Sequence, residues 1–272
     1  MPIKADCHLH SSHSGDSDAP MEEMILEGIR RGLTHMCFTE HNDFDFPVSD
    51  EAPQGLFELN ADAYLYDLIR LREKYEGQIR LLFGVELGLQ PHLTRRNAIF
   101  AKSHDYDFII GSCHVCGSRD PYYPAFYEGR SQEEAYREYF QEVYDNIKKF
   151  DNFDVCGHLD YVARYGPQKD QGYCYDSYSD LFDRILDLLL EKGKGLEINT
   201  GGIEDGLADV HPITGIVRRY RQKGGEIITI GSDAHDPAHI AADFHRAEEV
   251  LRECGFRYYT VFEKRQPEFK RF

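Results

Sequence analysis

The sequence has no uninterrupted apolar run of about 18 residues, the length that a membrane-spanning helix needs. A transmembrane helix is therefore not expected. Its opening, MPIKADCHLH, lacks the apolar core of a secretory signal, so we expect a soluble, cytoplasmic protein. Positive charge is scarce: 31 Lys and Arg stand against 48 Asp and Glu, a formal net charge of −17. Such a surface repels nucleic-acid backbones and anionic membranes, and neither is an expected partner. The seven cysteines are an odd number without dense regular spacing, which argues against a disulfide framework and for reduced thiols. Cys113 and Cys116 form a CxxC, but no second CxxC completes a zinc ribbon. Tryptophan is absent, yet 41% hydrophobic residues is ordinary for a packed globular chain. No repeat, low-complexity block or long Gly/Ser linker divides it, so residues 1–272 read as a single domain.

Short β-like runs alternate with amphipathic helical stretches, as in a parallel α/β architecture. The runs are IKADCHLH (3–10), HMCFTE (35–40), IRLLFGVE (79–86), DFIIGSCH (107–114), FDVCGH (153–158), KGLEINT (194–200) and EIITIGSD (226–233), with an eighth, RYYTVFE (257–263), near the end. Between them lie helical patterns such as PMEEMILEGIRRG, which opens on Pro20 and ends on Gly32. SQEEAYREYFQEVYDNIKKF opens on Ser131 with Glu134 three residues later, a capping box. Seven βα units point to an α/β fold, a single barrel whose chemistry sits at the carboxyl ends of the strands.

That is where the reactive residues fall. Six of the thirteen histidines terminate strand-like runs: His8, His10, His41, His114, His158 and His235. Asp6, Asp16, Glu40, Glu86, Asp160, Glu197 and Asp233 accompany them. Residues two apart in a strand share a face, so Asp6, His8 and His10 form one row. Two imidazoles on one row suit a transition metal, with Asp6 placed to orient a ring from behind. His92, His239 and His245 lie in polar contexts and read as surface residues.

DxHxH, TEH, an isolated Glu after a hydrophobic strand, GSCH, GHLD and GSDAH follow one another in an order that resembles the PHP (polymerase and histidinol phosphatase) superfamily. "GHLDYVARYG", "LEINTGG", "VHP" and "RRYRQKGGEIITIGSDAH" resemble its histidinol-phosphate phosphatase branch. The resemblance implies a distorted barrel of seven βα units holding three divalent metal ions, zinc, manganese or iron. It implies His8, His10, Glu86 and Asp233 around the first, Glu86 bridging to a second held by His114 and His158, and Asp16, His41 and His235 around a third. His13, in the same loop as Asp16, matches no ligand position.

The implied reaction is hydrolysis of a small phosphate ester, with L-histidinol phosphate the leading substrate. Metal coordination lowers the pKa of water, providing hydroxide near neutral pH to attack phosphorus. Cations in the pocket also let an acidic protein bind an anion. Asp160, two residues after His158, and His235 are candidates for protonating the leaving group. Arg164 is the expected phosphate clamp, since a guanidinium matches phosphate geometry. One stretch departs from the branch: "INTGGIEDG" carries Glu204 and Asp205 where a basic residue often stands. Glu204 is thus a candidate contact to a cationic part of the substrate, and Arg119 or Arg130 candidates to compensate. The loop "VCGSRDPYYPAFYEGRS" reads as a cover over the barrel mouth, with or without ligand contact. A nucleotide or another small ester is the alternative substrate, and a non-catalytic metal-binding module the alternative class.

Overall fold

The computed structural model describes residues 3–272. Its elements, in chain order, are β1 (Ala5–Leu9), α1 (Met21–Arg31), β2 (His35–Phe38), β3 (His41–Asn42), α2 (Ala61–Lys74), β4 (Arg80–Gly88), α3 (Thr94–Phe100), β5 (Phe108–Ser112), α4 (Gln132–Lys149), β6 (Val155–Cys156), α5 (Ser179–Glu191), β7 (Gly195–Asn199), α6 (Gly201–Glu204), α7 (Thr214–Gln222), β8 (Ile228–Gly231), α8 (Phe244–Glu253), β9 (Tyr258–Glu263) and β10 (Gln266–Arg271).

The strands run parallel in the order β1-β2-β4-β5-β6-β7-β8. β3 continues β2 after a break at Thr39–Glu40 and pairs with the carboxyl half of β4, so two short strands occupy one barrel position. The sheet closes at its carboxyl end, where Leu9 bridges Ala234, the Asp233 N–H donates to His8 O at 2.8 Å and the His10 N–H to Ala234 O at 2.9 Å. This is the distorted seven-unit barrel expected from the sequence. Strands such as β5 are buried along their whole length because helices cover the outer face while side chains fill the inner one.

Local signals act as read. Gly32 ends α1 in the left-handed conformation, φ 79°, and Ser131 and Glu134 form both arms of the capping box on α4. The eighth strand-like run does not join the barrel. It pairs antiparallel with β10, and this hairpin covers the end opposite the site: Arg265 Nε meets Asp154 Oδ2 at 2.6 Å, just before β6, and the Lys264 N–H donates to Asp107 Oδ1 at 3.1 Å, just before β5. Among the described residues, no helix is long and apolar enough to cross a membrane.

Candidate metal centre

Glu86, near the end of β4, is completely buried and stands at the focus of five imidazoles. His158 Nε2 lies 2.8 Å from its Oε1 and His114 Nε2 3.2 Å from the same oxygen. His41 Nδ1, His8 Nε2 and His10 Nε2 lie 2.9, 3.3 and 3.8 Å from Oε2. Asp233 adds a second carboxylate, 3.4 Å from His8 Nε2 and 3.3 Å from His10 Nε2. Asp16 Oδ2 sits 3.3 Å from both His41 Nε2 and His235 Nε2. The side chains come from the carboxyl ends of β1, β3, β4, β5, β6 and β8 or from the loops just beyond them. Asp233 is held at φ 58°, a left-handed conformation that Asp tolerates better than most residues. A Cβ at Gly231 would stand 2.3 Å from His8 Cβ, so only glycine lets β8 approach β1 this closely.

The tautomers show what the cluster is built to hold. His8 Nδ1 donates to Glu197 Oε1 at 2.6 Å, His114 Nδ1 to Asp43 Oδ1 at 2.7 Å, and His235 Nδ1 to the Asp233 carbonyl at 2.8 Å. Ser14 Oγ donates to Glu40 at 2.5 Å, so His10 Nδ1 is the donor in its 3.1 Å contact with Ser14. In their neutral forms these four rings aim a bare Nε2 lone pair at carboxylate oxygens, an arrangement that repels unless positive charge, a metal ion or a proton, lies between. His8 Nε2, His10 Nε2, His41 Nδ1 and Glu86 Oε2 are buried without a hydrogen-bond partner. Each such atom costs roughly 1–3 kcal/mol. Mixed imidazole nitrogen and carboxylate oxygen suits zinc, manganese or iron better than calcium or magnesium. The donor set fits divalent metal ions. Four overlapping groups meet the spacing a metal needs: His8–His10–Asp233, His8–Glu86–His158, His41–Glu86–His114 and His10–His41–His235.

Where no metal ion supplies that charge, protons do. Burial opposes charge on His8 and His114, yet the carboxylates prevail, raising His8 well above its ordinary range through Glu197, Glu86 and Asp233. Asp43 and Glu86 push His114 up to about 10. Burial also opposes ionisation of Glu86, but His114, His8 and His41 hold it well below the usual carboxylate range. His10 goes the other way, to about 3, through burial and then through His41 and His235.

Above the cluster opens a cavity of about 380 Å³, lined by Asp16, His41, His114, His158, Asp233 and His235 at its floor. Arg164, half-buried, is the one arginine among the described residues that lines it, with Nη2 3.3 Å from Asp233 Oδ2 and Nε 3.4 Å from Asp205 Oδ2. The segment after β3 contributes Phe46, Glu51 and Phe57, and the loop after β5 contributes Asp120, Tyr122 and Tyr123. That loop does line the cavity.

Other expected site residues lie elsewhere. Asp160 does not face the cavity: it is fully buried, 2.6 Å from His211 Nδ1, and accepts from the Ile213 N–H at 3.0 Å and the Tyr173 hydroxyl at 3.1 Å. Glu204 turns outward to His239 Nε2 at 2.5 Å, and its neighbour Asp205 is the one that meets Arg164. Arg119 pairs with Glu138 at 2.9 Å, and Arg130 donates to the Phe126 carbonyl; neither lines the cavity. Asp6 orients no ring; it accepts from the Ser232 N–H and hydroxyl and the Ala241 N–H. Glu197 takes the orienting role instead. His13 pairs with Asp67 at 3.3 Å on α2. The described thiols are free, Cys113 and Cys116 among them, and no metal-spaced group includes one. Asp43, Asp120 and His211 were missed; for His211 the stretch VHP was a signal.

The PHP domain family profile matches residues 6–201, nearly three quarters of the chain. The chain belongs to the PHP domain family. This PHP protein is 34% identical over 260 residues to a histidinol-phosphatase of Lactococcus lactis subsp. lactis, covering 95% of this chain and 94% of that one. It is 29% identical to a probable histidinol-phosphatase of Clostridium acetobutylicum, covering 96% and 97%. Its fold superposes on the crystal structure of the Lactococcus lactis histidinol phosphate phosphatase complexed with zinc, L-histidinol and phosphate. That match has a TM-score of 0.90 at 32% identity, covering 97% of this chain and 98% of that one.

Proposed function

We propose that this PHP protein is a metal-dependent phosphomonoesterase that hydrolyses L-histidinol phosphate to L-histidinol and phosphate, with residues 1–272 acting as one domain in the cytoplasm. The observation that carries the reading is the set of four tautomer-fixed imidazoles aiming bare nitrogens at Glu86, Asp233 and Asp16 beneath a cavity that holds Arg164. The full-length likeness to histidinol-phosphatases supports the choice of ester.

We assign His8, His10, Glu86 and Asp233 to one divalent ion, Glu86, His114 and His158 to a second, and Asp16, His41 and His235 to a third. Bound there, such ions make hydroxide available near neutral pH and neutralise phosphate oxygens. The protein's own groups do the rest. Glu197, Asp43 and the Ser14–Glu40 pair fix ring orientation, which keeps the donor set from collapsing under its own charge. Arg164 reaches into the cavity to pair with phosphate oxygens, its charge directed by Asp233 and Asp205. His235 lines the cavity and Asp160 does not, but its Nδ1 is held by the Asp233 carbonyl and its Nε2 belongs to the third donor set, so His235 can protonate a leaving oxygen only while Nε2 carries no metal.

The test is phosphate release by metal-loaded protein from L-histidinol phosphate, nucleoside monophosphates and 4-nitrophenyl phosphate. The reading expects the first to have the highest kcat/KM. Preference for a nucleotide would move the substrate to another ester, and no release from any would leave a binding module.

A further inference from the structure

The metal cluster and Arg164 account for one end of the cavity. The other end is acidic and aromatic. Asp120, in the loop after β5, is only 8% exposed and lines the cavity. Its Oδ1 accepts the Tyr122 N–H at 2.8 Å, and no cationic side chain among the described residues pairs with it. Tyr122 meets the Tyr165 ring edge-on at 5.2 Å, Tyr165 meets Tyr161 at 5.0 Å, and Tyr161 lies 5.5 Å from His114. A row of tyrosine rings thus leads from the metal cluster to Asp120. At the rim, the Tyr123 hydroxyl lies 3.3 Å from Glu51 Oε2 and ties the two mouth loops together.

A buried carboxylate without a counter-charge is costly, and such groups cluster where a ligand supplies the missing partner. With a single arginine facing the cavity, a second anionic group on the ligand would be repelled at this end. A cation would meet a carboxylate acceptor and the faces of electron-rich rings.

We propose that Asp120 is a specificity-determining residue, which seats an ammonium or imidazolium at the end of the substrate remote from its phosphate, against the rings of Tyr122 and Tyr165. The proposal rests on the phosphatase reading and adds to it the residue that selects the substrate's cationic end. Asp120 takes no part in bond breaking. It raises the occupancy of esters that carry positive charge.

The experiment compares kcat/KM of metal-loaded wild-type protein, Asp120→Asn and Asp120→Glu on two ester pairs. These are O-phosphorylethanolamine with ethyl phosphate, and L-histidinol phosphate with 4-nitrophenyl phosphate. Differences in leaving-group chemistry cancel when the ratio within each pair is compared between proteins. Asp120→Asn is expected to cut the preference for the cationic member roughly tenfold to a hundredfold, mainly through KM. Asp120→Glu keeps the charge and retains part of the preference. Unchanged ratios in Asp120→Asn overturn the proposal. If histidinol phosphate is not turned over, the substrate reading fails while the ethanolamine pair still decides the role of Asp120. If no ester is turned over, calorimetric titration of L-histidinol with inorganic phosphate present decides it: weaker binding to Asp120→Asn upholds the proposal and equal binding overturns it.

Discussion

The Glu197 carboxylate holds two of the metal-facing residues at once: Oε1 lies 2.6 Å from His8 Nδ1, while Oε2 accepts the His158 backbone N–H at 2.8 Å. One side chain on β7 thereby fixes a ring from β1 and the loop after β6. Glu197→Gln keeps the volume and removes the charge that sets the His8 tautomer. Zinc affinity, measured by chelator competition, is expected to fall roughly 10- to 100-fold. Unchanged affinity would reduce Glu197 to a space-filling role.

Arg164→Lys keeps a positive charge but loses the planar pair of donors. Phosphate-ester kcat/KM is expected to fall roughly a hundredfold, most of it in KM, with metal content preserved. Steady-state kinetics with metal analysis on the same sample checks this. Lysine at full activity would show that a point charge suffices.

Asp160 sits behind the site, against His211. Asp160→Asn is expected to cost about 1–3 kcal/mol of stability, because a buried ring nitrogen loses its charged acceptor. The pH profile of kcat should keep both limbs. Loss of the alkaline limb from that profile would restore Asp160 as the proton donor.

Asp160 and Asp6 show where the sequence misleads. Both were assigned by strand alternation from a neighbouring histidine. β6 is only Val155–Cys156 and the chain coils into a 3₁₀ turn at Tyr161–Arg164, so alternation has already ended at Asp160. β1 carries an irregularity between Asp6 and Leu9, where three steps face two on β2, and Asp6 leaves the row. The metal-facing residues were legible because most stand at or just beyond the carboxyl end of a strand and fall in the order of the PHP motifs. Asp43 and Asp120 were not, because a lone aspartate in a loop carries the same signal as any turn former. Glu204 looked informative from its place in the chain, but a short helix turns it outward to His239.

Burial raises the Asp120 carboxyl from its ordinary 3.8 to about 6. Folding therefore disfavours its charged form, an effect absent below pH 3.8 and complete above about pH 6. Asp120→Asn removes it, and is expected to stabilise the protein by about 1–3 kcal/mol at pH 7.5. At pH 3.8 and below the gain should vanish. Thermal melts at the two pH values check the sign. A variant that gains stability while losing substrate preference marks a residue kept for binding.

The most direct test of the central claim, that the imidazoles around Glu86 form a metal centre for phosphate-ester hydrolysis, is a titration. Chelator-stripped protein is titrated with zinc or manganese while phosphate release from L-histidinol phosphate is followed. Turnover is predicted to be absent without metal, to appear on addition and to level off near three equivalents. Full turnover by the stripped protein, or none from the metal-saturated one, would contradict the account.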